Sequence, residues 1–144
     1  MNNYFIILAS GQSKRFNSKK PKQYNIYEGK PLFKHSLDKA LKSKLFKKIV
    51  IVVNNKKEIK EIFPKNVSII IGGKERSDSS LIALKFIKKY KPTNVLIHDA
   101  ARPNFTINLL KKLILMKYIK ILKGLLRNSI LICRYLKRMG AVLI

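Results

Sequence analysis

Short apolar runs alternate with longer amphipathic stretches along most of this chain. Tyr4–Leu8, Ile49–Val53, Val67–Ile71 and Asn94–His98 are brief, rich in β-branched residues and nearly continuous in hydrophobicity. Strands buried on both faces read this way, whereas a strand with one wet face alternates apolar and polar positions. Between these runs, residues 31–44, 56–63 and 77–89 predict helices. In the first of them Phe33, Leu37, Ala40 and Leu41 fall at i, i+4, i+7 and i+8, one stripe that packs on a sheet. The order β, α, β, α, β, α, β predicts an α/β fold: an open, doubly wound, mainly parallel sheet of Rossmann-like type. Ligands of such sheets bind beyond the carboxyl ends of the strands.

The pattern changes after Pro103. The final 41 residues carry nine Lys or Arg and no Asp or Glu, among long Leu/Ile runs. Residues 106–115 predict one more helix, with Thr106 as its N-cap. From Met116 onward no alternation and no further strand is expected. Three readings compete there: a basic amphipathic helical end lying on a membrane or a partner, an ordinary helix continuing the fold, and a segment whose reading frame has been lost. The last is favoured. The chain is accordingly divided into a domain over residues 1–115 and an atypical basic segment over 116–144, helical or poorly ordered.

A net charge of +25 would, alone, favour nucleic acid, an anionic membrane or an acidic partner. Lysine is instead spread along the whole chain, often as Lys-Lys pairs, which reads as a bias of composition and predicts no specific nucleic-acid role. The single cysteine, Cys133, excludes an internal disulfide framework and a multi-cysteine zinc site, and it fits a reducing compartment. The first apolar run has no basic segment ahead of it and is too short for a signal peptide or a membrane span. A cytoplasmic location with no membrane span is expected.

Chemistry concentrates at the ends of predicted strands. Leu8-Ala9-Ser10-Gly11-Gln12-Ser13-Lys14-Arg15, followed by Pro21-Lys22-Gln23-Tyr24, supplies a glycine turn whose backbone N–H groups can face phosphate. Arg15 and Lys22 then offer cations to neutralise it. The loop also holds Lys14, Lys19 and Lys20, and it exceeds the roughly two to six residues of a passive connection in an α/β unit. His98-Asp99-Ala100-Ala101-Arg102-Pro103 ends another run with a carboxylate, Asp99, that can hold a hard cation such as Mg²⁺ or pair with Arg102. In Gly72-Gly73-Lys74-Glu75-Arg76-Ser77-Asp78-Ser79 a glycine turn leads into a helix capped by Ser77 or Asp78, and the Ser79 hydroxyl can read a base edge. His98 is expected to make a structural hydrogen bond. Together these segments predict a site for a nucleoside triphosphate and its metal.

Gly11 to Arg15, Pro21-Lys22-Gln23-Tyr24, Gly72-Gly73-Lys74-Glu75-Arg76 and His98 to Pro103 resemble the 2-C-methyl-D-erythritol 4-phosphate cytidylyltransferase family of the non-mevalonate isoprenoid pathway. The resemblance runs in order over about residues 3–115. Close relatives acting on ribitol phosphate tend to carry another residue in place of Ala101 and Phe in place of Tyr24. The resemblance implies a Rossmann-like nucleotidyltransferase that transfers CMP from CTP to methylerythritol phosphate and releases pyrophosphate. It implies Arg15 and Lys22 as catalytic residues and Asp99 as the ligand of Mg²⁺. Ala9, Ser10 and Gly11 would line the triphosphate, and Gly72, Gly73, Arg76, Ser79 and Ala100 the rest of the nucleotide. The acceptor phosphate is already an anionic nucleophile, so no general base is required. A homodimer is implied as well. Ser13 and Lys74 depart from the family pattern. After Leu115 no segment matches the family's acceptor-gripping side chains or its dimerisation arm, so a truncated or frame-shifted form with a CTP half-site alone is expected. Two alternatives stand beside this reading: a related cytidylyl- or sugar-nucleotide transferase with another acceptor, and a non-catalytic basic module for nucleic acid or membrane.

Overall fold

The computed structural model describes residues 2–11, 21–59, 61–115 and 141–143, the last three in backbone alone. In chain order the elements are β1 (Asn3–Leu8), β2 (Ile26–Tyr27), β3 (Lys30–Pro31), α1 (Leu32–Ser43), β4 (Lys48–Val53), β5 (Val67–Ile71), α2 (Arg76–Lys88), β6 (Asn94–Asp99), α3 (Ile107–Leu115) and β7 (Ala141–Leu143). The main sheet has the order β5-β4-β1-β6-β7, and all its pairs are parallel. The expected open, doubly wound α/β sheet is what forms.

All six residues of the central strand β1 are buried, which explains its unbroken apolar run. Phe5 and Ile7 join Phe33, Leu37 and Ala40 of α1 and Leu110 and Ile114 of α3 on one face. Tyr4, Ile6 and Leu8 meet Ala83, Leu84 and Ile87 of α2 on the other. Successive side chains of a strand point to opposite faces, so one short run feeds two cores. Burying each such side chain contributes roughly 1.5–3 kcal/mol.

The helix over 106–115 also forms as read: Thr106 caps it, its Oγ1 accepting the Leu109 N–H at 3.1 Å. Four details differ from the sequence reading. The described residues of 56–63 do not make an α-helix; Lys56–Glu58 form a single 3-10 turn. Pro64 disfavours helical backbone at the residue before it, and the stretch left is too short to offset the cost of a helix nucleus. α2 starts at Arg76, with Glu75 rather than Ser77 or Asp78 at its N-cap, and Asp78 reaches back to accept the Glu75 N–H at 3.2 Å. A hairpin, β2–β3, turns through Glu28 and Gly29 at φ 47° and 78°. A two-residue turn with both φ values positive matches the twist of the strands it joins. Finally, Ala141–Leu143 pairs in parallel with Val95–Ile97 of β6, where no further strand is expected. Its backbone covers what would otherwise be a bare sheet edge. Among the described residues, no helix is long and apolar enough to cross a membrane.

Candidate active site

From β1 the chain winds outward to β4 and β5, then crosses back over α2 to place β6 on the other side of β1. A crevice must open where the direction of winding reverses, above the carboxyl ends of β1 and β6. Leu8 pairs with Asp99, so the two loops leave the sheet at one level. Between them lies a cleft of about 420 Å³. Ser10 and Gly11 line it from the end of β1, Lys22 and Gln23 from the 3-10 turn that follows, Lys74 to Arg76 from the start of α2, and Asp99 to Arg102 from the end of β6.

Hydrogen bonds tie these loops to the sheet and to each other. The Ala9 N–H donates to Val52 O at 2.7 Å and the Ala100 N–H to Leu8 O at 3.0 Å. The Ser10 and Ser79 hydroxyls lie 2.7 Å apart, and Ser79 Oγ accepts the Gly73 N–H at 3.1 Å. Ser79 is fully buried. Its hydroxyl is thus engaged beneath the cleft, joining the β1 loop to the turn after β5. Both glycines of that turn are dictated by packing. A Cβ on Gly72 would stand 2.5 Å from Ser79 Oγ and 2.8 Å from Val52 Cγ1, and one on Gly73 would collide with Asp78 Cβ. Gly72→Ala is therefore expected to lower the unfolding free energy by about 1–3 kcal/mol, as overpacking does, and a urea titration reads the change. Gly11 is different: among the described residues, a Cβ there would meet nothing within 4 Å.

Cations dominate the electrostatics. Lys22, Lys74, Arg76 and Arg102 line the cleft against Glu75 and Asp99, a balance that attracts a polyanion. Asp99 Oδ1 accepts from Arg76 Nε at 2.8 Å, and its Oδ2 is 3.6 Å from Arg102 Nε. Asp99 is 25% exposed and Arg76 35%, so water screens the pair and its net worth is within about 1 kcal/mol. The pairing with Arg102 expected from sequence is present, and Arg76 joins it. Among the described residues no three His, Cys, Asp or Glu side chains cluster for a metal. An all-protein metal cage does not fit these residues. A Mg²⁺ taking one carboxylate, with phosphate oxygens and water as its other ligands, does fit Asp99.

His98 points away from the cleft, to the face that carries α1. It is 3% exposed, its Nε2 lies 3.1 Å from Ser36 Oγ, and its ring packs on Phe5 and Phe105. It has the structural place expected of it.

Of the residues named from sequence, Ser10, Gly11, Lys22, Arg76, Asp99 and Ala100 line one cleft. Ala9, Gly72, Gly73 and Ser79 sit behind that lining. Arg15 lies outside the described residues. Gln23, Glu75, Ala101 and Arg102 line the cleft without having been singled out for it. All four belong to the quoted motifs, so the signal was adjacency to Lys22, Arg76 and Asp99.

Residues 4–124 match the family described as IspD, 2-C-methyl-D-erythritol 4-phosphate cytidylyltransferase, a span that continues past Leu115. A bifunctional IspD/IspF enzyme of Pelagibacter ubique (strain HTCC1062) is 57% identical over 115 residues, covering 78% of this chain and 31% of that one. The 2-C-methyl-D-erythritol 4-phosphate cytidylyltransferase of Thermotoga neapolitana is 41% identical over 105 residues, or 70% of this chain and 47% of the relative. Among solved structures, the bifunctional IspDF from Campylobacter jejuni superposes with a TM-score of 0.68 at 34% identity, covering 79% of this chain and 30% of that one. The chain thus spans less than half the length of each of these relatives.

Proposed function

The chain belongs to the 2-C-methyl-D-erythritol 4-phosphate cytidylyltransferase family, and on that premise we propose that its cleft holds CTP with a divalent cation, Mg²⁺, for transfer of CMP to 2-C-methyl-D-erythritol 4-phosphate with release of pyrophosphate. The observation that carries the proposal is the convergence of Ser10, Gly11 and Lys22 from the first loop with Asp99 and Ala100 from the end of β6 on one cleft. Those are the loops whose motifs resemble the family's. A cytoplasmic location completes the proposal.

In this reading the first loop brings backbone N–H groups to the triphosphate. The Ser10 and Gly11 amides meet no backbone acceptor among the described residues, and both residues border the cleft. Lys22, exposed at the rim, supplies an ammonium for the α-phosphate and the departing oxygens, and Arg15 is assigned the same task from its place in the motif. The acceptor's phosphate oxygen attacks the α-phosphorus as an anion; the bond to the bridging oxygen breaks, and its electron pair leaves with pyrophosphate. Nothing has to remove a proton, which agrees with a cleft that His98 does not reach. Catalysis is then positioning plus stabilisation of charge. Asp99 would hold the metal together with phosphate oxygens, and the metal would supply stabilisation of the negative charge that develops on the phosphates. Arg76 and Arg102 flank Asp99 and keep its carboxylate oriented.

Pyrophosphate release is the test, with the chain incubated with CTP, methylerythritol phosphate and Mg²⁺. Binding of CTP strengthened by Mg²⁺ is expected of the CTP half-site, and release that needs all three components would establish the full transfer. Release with ribitol phosphate instead would assign another acceptor. Salt-sensitive binding of nucleic acid, with no binding of CTP, would overturn the proposal in favour of a basic module.

A further inference from the structure

Gln23 has no part in the chemistry just described, yet its side chain joins the two ends of the cation-bearing loop. It is 4% exposed. Its Nε2 donates to Ala9 O at 2.8 Å and to Gly11 O at 2.7 Å, and the Tyr24 hydroxyl adds a third link, to Ala9 O at 3.3 Å. A carboxamide nitrogen carries two N–H groups in a rigid fork, and two carbonyl oxygens facing it require the nitrogen rather than the oxygen at that position. Asn is too short to serve from the same backbone, Glu would set a carboxylate against two carbonyls, and Lys would bury a charge. The neighbouring residue is Lys22. Both sit in one 3-10 turn, closed by Tyr24 N–H to Pro21 O at 3.0 Å and Asn25 N–H to Lys22 O at 3.1 Å. The carboxamide therefore fixes the backbone that carries the ammonium against the backbone of the Ser10–Gly11 turn.

We propose that Gln23 is a positioning residue for the triphosphate. One buried carboxamide clamps the Ala9 and Gly11 carbonyls to the Lys22 turn, so that the ammonium and the loop's amides meet a polyphosphate as one prearranged surface. The inference rests on the CTP reading and deepens it. Without the clamp, ordering both ends of the loop becomes part of the work of binding, and affinity falls accordingly.

The test measures CTP affinity in the presence of Mg²⁺ by calorimetry for the unsubstituted chain, Gln23→Met, Lys22→Ala and the double variant. Met keeps the volume and removes both donors; thermal unfolding establishes that each variant is folded, and Gln23→Glu replaces Gln23→Met if Met does not fold. Loss of two hydrogen bonds predicts CTP binding weakened by about tenfold or more in Gln23→Met. Because part of the effect of Gln23 runs through Lys22, the loss in the double variant is expected to be smaller than the sum of the two single losses. A folded Gln23→Met that binds CTP within about twofold of the unsubstituted chain, or losses that simply add in the double variant, would overturn the inference while leaving the CTP site standing. No CTP binding by the unsubstituted chain would overturn the functional reading, and the inference with it.

Discussion

Lys22→Ala is expected to weaken CTP binding by about 10- to 100-fold, the worth of one charge-assisted hydrogen bond of roughly 1.5–3 kcal/mol. In the two-substrate reaction kcat/KM should fall further, by about 10²–10³, because charge grows on the departing oxygens as the transition state forms. Lys22 lies at the exposed rim of the cleft, in a turn that keeps its backbone hydrogen bonds whatever the side chain. Stability should therefore change little, and thermal unfolding of the free protein checks that. Raising ionic strength should narrow the difference between the two proteins, since an exposed ammonium is screened. Calorimetric titration at two salt concentrations measures both effects.

Asp99→Ala should separate the metal from the charge. The carboxylate faces the Arg76 and Arg102 guanidiniums, so its removal leaves the cleft with one negative charge fewer and two cations less neutralised. CTP binding without Mg²⁺ is then expected to be retained or tightened. Its strengthening by Mg²⁺ should vanish, because Asp99 is the carboxylate proposed to hold the metal. Turnover should fall by about 10² or more, the scale of losing one preorganised electrostatic contact. The ion pairs removed are partly solvated, so folding stability should stay within about 1 kcal/mol. Parallel titrations with Mg²⁺ and with a chelator decide the matter. Equal losses under both conditions would mean that Asp99 acts through structure and not through a cation.

The alternation of elements was legible because a doubly wound sheet buries its strands on both faces. Phe5, Ile6 and Ile7 must all be apolar when two cores share one strand. Convergence of the two loops was legible too, since a parallel sheet puts every strand end of the same sense on one side. Other features depended on contacts that spacing does not encode. The buried Ser10–Ser79 pair spans 69 residues, and only the fold shows that Ser79 braces the loops from beneath. Gly72 and Gly73 read as a glycine turn before a helix, and the structure shows that they answer to close packing against Ser79, Val52 and Asp78. The missing helix after β4 follows from Pro64, which disfavours helical backbone at the residue before it. The strand at Ala141–Leu143 follows a basic Leu/Ile-rich stretch whose sequence reads as a lost frame, with no further strand expected. Its pairing depends on the edge that β6 offers, which no local pattern reveals.

All of this depends on two loops serving one nucleotide. The most direct test is calorimetric titration of CTP into the chain with and without Mg²⁺, repeated with Lys22→Ala and Asp99→Ala. One saturable site is predicted, tightened by Mg²⁺, weakened in the first variant and indifferent to Mg²⁺ in the second. Saturable CTP binding that neither substitution alters would contradict the account, because it would place the nucleotide somewhere other than between the tips of β1 and β6.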